Sequence, residues 1–199
     1  GEFLIRSYIE GNTLSSYEIK SLNVEARKQL LIALINTAKI LFSTIHNNEK
    51  GNFVIRDFKP INLIYSFGNP DYFYLIDVGS LRSESDMISK TPRNYRIGSG
   101  KWLYWSPEQL LEDKKHLDRR SDYFSFGATA FFILTGNAPY SNSTSEKNKV
   151  LINYQKEYEK VQQQLNDLSE IEFLLPKGMI QMISDCLNPN PNFRKLNFH

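Results

Sequence analysis

A helix built from residues 124–134 would have no polar face: the run reads Phe-Ser-Phe-Gly-Ala-Thr-Ala-Phe-Phe-Ile-Leu. Gly136 and Pro139 stop it. Such a helix has to be covered on every side. A bilayer is not the cover, because the apolar part from Ala128 to Leu134 is far short of the roughly 20 residues that span one. The chain must wrap this helix with its own elements. At 199 residues, 41% of them hydrophobic, it has the material to do so within one domain.

The covering elements are visible as periodicities. Asn23 can cap a helix that begins at Val24, with Glu25 in its first turn. Leu30, Leu31, Leu34, Ile35, Ala38, Leu41, Phe42 and Ile45 then recur at helical spacing, so a long buried helix is expected. His46, at its end, reads as a partner for the helix dipole. Lys149 to Leu168 is a charged helix with one apolar side, and Pro176 to Leu187 a short apolar one. Strands are fewer. Glu2 to Ile9 reads as one, with Gly11-Asn12 as its breaker. Leu63 to Ser66 and Tyr72 to Ile76 read as a hairpin with Gly68, Asn69 and Pro70 at its tip. Ser80 to Lys101 is polar and shows no period. The expected class is α+β, mainly α-helical.

Charge excludes some functions. With 24 basic and 22 acidic residues, net +2, there is no electrostatic case for nucleic acid or for a membrane surface. The only cysteine, Cys186, cannot form an intrachain disulfide and reads as a buried small apolar residue. A reducing, cytoplasmic setting fits.

Chemistry is concentrated between Phe53-Val54-Ile55 and Leu63-Ile64-Tyr65. These apolar runs enclose Arg56-Asp57-Phe58-Lys59-Pro60-Ile61-Asn62. Pro60 fixes one backbone angle and biases Lys59 towards an extended conformation. A solvated turn needs no carboxylate, ammonium and amide in this set. A site that handles an anion and a metal does: the carboxylate accepts a proton, the ammonium neutralises charge, and the amide oxygen is a hard ligand for Mg²⁺.

That loop resembles the catalytic loop of the eukaryotic-type Ser/Thr protein kinase family, with Arg56, Asp57, Lys59 and Asn62 matching and Ile55 in place of the usual His. Further motifs follow in the family's order. Asp77-Val78-Gly79 resembles the Asp-Phe-Gly one hairpin downstream. Tyr104, Ser106, Pro107 and Glu108 resemble the end of an activation segment, although Lys101 stands where a threonine is usual. Asp122 to Gly127, then Leu134-Thr-Gly136, is similar to the central helix of the large lobe. Cys186-Leu to Arg194 resembles that lobe's closing motif, with Asn190 where Asp is usual. Residues 3–11 resemble the hinge, with Arg6 at a position that usually carries no charge.

The resemblance covers the whole of 1–199 and implies a kinase large lobe: hinge 3–11, catalytic loop 54–62 and activation segment 77–108. It implies ATP and Mg²⁺ as cofactors and a protein substrate. Asp57 would be the catalytic base and Lys59 would stabilise the moving phosphoryl. The backbone at Ser7 and Ile9 would hold adenine, and Asn62 and Asp77 would hold the metal. Arg56 would answer a phosphate on the polar loop. Asp122 would accept backbone N–H groups of the catalytic loop, and Arg194 would pair with Glu108. Neither a Gly-rich phosphate loop nor the strand lysine of the small lobe is in the sequence, so the small lobe is expected from the same polypeptide or from a partner chain. Two rivals stay open: a pseudokinase acting as a scaffold, and a kinase of small molecules. Ile55 and Val78 depart from the active pattern, but both are expected to keep their apolar packing.

Overall fold

The computed structural model describes residues 8–46, 52–84, 101–111, 113, 116–140, 147–168, 175 and 177–198. Helix α1 (Val24–Ile45) starts where the Asn23 side chain accepts a hydrogen bond from the Ala26 amide, at 2.8 Å. Helix α2 (Pro107–Leu110) starts with a capping box, in which Ser106 and Gln109 each satisfy the other's backbone. Helix α3 (Arg119–Thr135) is capped by Asp118, which accepts from the Arg120 amide at 2.8 Å. It ends at Gly136, whose φ of 72° lies in the left-handed region that glycine adopts at little cost. Helices α4 (Lys147–Leu168) and α5 (Lys177–Cys186) complete the helical shell.

Helix α3 is the centre of the molecule, as its missing polar face requires. Phe124, Phe126, Ala128, Ala130, Ile133 and Leu134 are completely buried. It packs on α1 and on α5. The second contact is close because of Gly127, where an added Cβ would lie 2.8 Å from Cys186 Cβ. Phe42 of α1 meets Phe58, Tyr123 and Phe126 at centroid distances of 5.6, 5.9 and 6.3 Å. By length and composition α1 could cross a membrane. In this fold, however, Leu30, Leu31, Leu34 and Ala38 are buried in the core.

Among the described residues the strands form two small antiparallel sheets. In one, β1 (Gly11–Thr13) pairs with β3 (Leu63–Ser66), which pairs in turn with β4 (Phe73–Leu75). In the other, β2 (Phe53–Val54) pairs with β5 (Arg82–Ser83). The expected hairpin of β3 and β4 is present, in the register Leu63↔Leu75.

Three expectations need correction. Gly11-Asn12 does not break a strand; it forms one. A Cβ on Gly11 would lie 2.3 Å from the Tyr65 carbonyl, so glycine here permits a close strand pair rather than a turn. The strand expected over Glu2 to Ile9 does not reach Tyr8 or Ile9, and its earlier residues lie outside the described ones. The polar segment after Asp77 is not irregular throughout, because Arg82–Ser83 closes the second sheet. The rest of that segment, 85–100, lies outside the described residues.

Candidate functional site

The loop from Ile55 to Asn62 is held from below by two buried apolar residues. Ile55 and Phe58 are both fully buried in the core. Between them the backbone has to turn sharply, and Arg56 does so with a φ of 67°. Among the described residues it is the one non-glycine in the left-handed region. Such a conformation costs on the order of 1–3 kcal/mol and persists only where the surroundings over-determine it.

They do so here. Asp122, fully buried on α3, accepts the Ile55 amide on Oδ2 and the Arg56 amide on Oδ1, each at 2.8 Å. On the other side of Arg56, the Gln109 Nε2 donates to its carbonyl at 2.9 Å. His46, at the end of α1, donates from Nε2 to Asp122 Oδ2 at 2.9 Å. Hydrogen bonds to an ionised acceptor are the strong ones, and Asp122 receives three. Gln109's reach to Arg56 was not visible in the sequence, since 53 residues separate them. His46 is not simply a dipole partner: its ring is buried and directed at Asp122.

Asp57 stands above this platform with both carboxylate oxygens engaged. Lys59 Nζ donates to Oδ1. Asn62 Nδ2 donates at 2.9 Å both to Oδ2 and to the Asp57 carbonyl. The stem of Lys59 is buried, with 5% of the residue exposed. Pro60 starts the short 3-10 turn (Pro60–Asn62) that brings Asn62 back towards Asp57. Asp57, Lys59 and Asn62, far from being a loose surface turn, form one hydrogen-bonded group.

Asp77 is brought alongside by the sheet. The Ile76 amide donates to the Asn62 carbonyl at 3.0 Å, so Asp77 follows directly on a residue bonded to Asn62. Its Oδ1 accepts the Gly79 amide at 2.9 Å, and its side chain is exposed. Val78 departs from expectation. It is 47% exposed and does not keep apolar packing, because β4 ends at Leu75 and Val78 opens a turn closed by the Leu81 amide at 3.0 Å. Ile55 does keep its packing. Among the described residues no three His, Cys, Asp or Glu side chains gather as a metal site. A divalent cation here would therefore be held by one carboxylate, one amide oxygen and oxygens from a bound phosphate. That mixed, hard-oxygen set suits Mg²⁺.

Glu108 and Arg194 form a buried, two-pronged ion pair, with Nη1–Oε1 at 2.5 Å and Nη2–Oε2 at 2.9 Å. Ser121 donates to Glu108 Oε1 at 2.7 Å, and Arg194 also donates to the carbonyls of Asn188, Arg120 and Pro189. No oxygen of the pair is left bare, which burial of both charges demands. The pair joins α2, which carries Gln109, to α3, which carries Asp122. Ile9 is half-buried and leads into β1, near the end of β3 that is away from Asn62. Ser7 and Arg6 lie outside the described residues.

Comparisons with known proteins agree on one group. The family model described as "Protein kinase domain" matches residues 3–196. The chain is 31% identical over 156 residues to the serine/threonine-protein kinase/endoribonuclease IRE1b of Arabidopsis thaliana, covering 78% of this chain and 16% of that protein. It is 30% identical over 138 residues to the serine/threonine-protein kinase PknB of Mycobacterium leprae, covering 69% of this chain and 20% of that protein. The chain therefore spans about a fifth or less of the length of these relatives. Among solved structures, that of the Rad53 kinase domain and SCD2 superposes with a TM-score of 0.61 at 17% identity, over 95% of this chain and 60% of that one. At that identity the likeness speaks for the fold alone.

Proposed function

The chain belongs to the protein kinase domain family, and from that premise we propose that it is the catalytic large lobe of a kinase that transfers the γ-phosphoryl of Mg·ATP to serine or threonine hydroxyls of a protein. The observation that carries this reading is the setting of Asp57. A half-buried carboxylate sits on a strained, over-determined loop with an ammonium on one oxygen and an amide on the other. A structural turn has no use for that strain.

In this reading Asp57 orients the acceptor hydroxyl and takes its proton, a contribution of roughly 10²–10⁴ in rate. Lys59 moves its donor from Asp57 to the phosphoryl as negative charge develops there. Asn62 and Asp77 hold the cation, which when bound offsets phosphate charge. The Arg56 Nε is buried without a hydrogen-bond partner among the described residues. This supports a role for Arg56 in accepting a phosphate on the segment after Asp77, which would switch the loop. The backbone at Ser7 and Ile9 is our candidate for holding adenine. A small lobe, in cis or from a partner chain, would close over the phosphates.

Val78 favours a second reading, an inactive scaffold, because an exposed valine does not hold its turn against the core. Calorimetry separates the two. In the natural polypeptide, the kinase reading predicts Mg²⁺-dependent ATP binding that Asp77→Ala weakens, with phosphoserine or phosphothreonine formed on a protein acceptor. ATP binding without Mg²⁺ dependence, or none, would favour the scaffold. Phosphate appearing only on small molecules would overturn the protein-substrate assignment.

A further inference from the structure

Residues 104–106 are seated one at a time. Ser125 Oγ, on α3, donates to the Tyr104 carbonyl at 2.9 Å, and the Tyr154 hydroxyl, on α4, donates to the Trp105 carbonyl at 3.2 Å. Ser106 is fully buried and donates from both its amide and its hydroxyl to Gln109 Oε1, at 3.1 and 3.2 Å. Those two bonds orient the Gln109 side chain, and its Nε2 then reaches the Arg56 carbonyl at 2.9 Å. The cap itself needs only the oxygen, and glutamate serves as well at that place in a capping box. Glutamine also brings a donor to the loop bearing Asp57.

The bonded carbonyl lies at a decisive point. The Arg56 C=O and the Asp57 N–H belong to one planar peptide, so what fixes the carbonyl fixes the plane from which Asp57 departs. Asp122 holds the two preceding peptides, through the amides of Ile55 and Arg56. Gln109 holds the peptide that follows the left-handed residue. A peptide whose carbonyl is released can turn over about its two flanking bonds, and here that would redirect Asp57. We propose that Gln109 is a positioning residue that couples two segments: through the Arg56 carbonyl, it makes the direction of the Asp57 carboxylate depend on how residues 104–106 are seated. The rate effect rests on the kinase reading; the effect on the peptide does not.

The test compares the natural polypeptide with Gln109→Leu, Gln109→Glu, Tyr154→Phe and the double variant of Gln109→Leu with Tyr154→Phe. The NMR shifts of the Arg56 carbonyl carbon and the Asp57 amide nitrogen, which respond to a hydrogen bond on that carbonyl, are read beside kcat and the KM for ATP. Gln109→Glu keeps the acceptor for Ser106 but sets an oxygen against the Arg56 carbonyl. Gln109→Glu and Gln109→Leu should each move both shifts and lower kcat on the order of a hundredfold, the scale of a small misplacement of a reacting group. The KM for ATP should stay within about twofold, since no binding contact is removed. Tyr154→Phe loosens the seat from a distance. It should move the same shifts in the same direction and lower kcat by about three- to tenfold, the scale of one lost hydrogen bond. In the double variant that second loss should vanish, because it acts through Gln109. Should the leucine variant not fold, Gln109→Glu takes its place throughout. A glutamate variant with the parent's shifts and kcat would reduce Gln109 to a helix cap and overturn the proposal. A Tyr154→Phe variant without effect, or one whose loss multiplies with that of Gln109→Leu, would overturn the coupling. Should the parent transfer no phosphate, the kinase reading fails, and the shifts alone decide the role of Gln109.

Discussion

At the scale of single residues, the site combines groups that are local in sequence with groups that are not. Asp57, Lys59 and Asn62 lie within six positions, and their pattern is legible because a proline-braced carboxylate, ammonium and amide have little use elsewhere. The strain at Arg56 and the reach of Gln109 were not legible, because both depend on where α2 comes to rest against the loop. Val78 was misread for a related reason: its type fits a core, but its place at the corner of a turn exposes it. Two predictions belong here. Replacing Arg194 by methionine leaves Glu108 charged and buried with Ser121 as its remaining side-chain donor, and should cost about 3–5 kcal/mol in urea unfolding. Burial pushes the Cys186 thiol well above its ordinary pKa. It should therefore react with a thiol reagent only as fast as the protein opens, and react at once when unfolded.

At the scale of elements, helix ends carry much of the information that was readable from sequence. Asn23 and Gly136 mark α1 and α3 through cap chemistry that needs no tertiary contact. Strand β1 was missed because Gly-Asn is ordinarily a turn signal, and only its distant partner β3 makes it a strand. The α3 cap also supplies a pH test. Burial raises the pKa of Asp118, but hydrogen bonds from the Arg120 side chain and amide outweigh it, and the net result is a lowered value. A carboxyl with a depressed folded-state pKa adds stability above its unfolded pKa and loses it as pH falls through the folded one. Asp118→Asn keeps a good cap but removes the charge. Its deficit against the parent should be present at neutral pH and shrink as the pH falls below the ordinary value of 3.8. Asp118→Ala removes the cap as well, so on top of the same pH-dependent deficit it should show a loss of about 1 kcal/mol that persists at low pH.

At the scale of the whole molecule, a helix with no polar face organises everything else. Helix α3 buries its apolar residues against α1 and α5 and carries Asp122 at its first turns. The core therefore ends in a carboxylate that sets the loop bearing Asp57. The central claim is that the Asp57 carboxylate is the base of a phosphoryl transfer, and its most direct measurement is the initial rate of phosphate transfer from Mg·ATP to a protein acceptor by the natural polypeptide and by Asp57→Asn. The account predicts that the amide variant binds Mg·ATP about as well as the parent while its transfer rate falls by roughly a hundredfold or more. Transfer by Asp57→Asn at the parent's rate would contradict it.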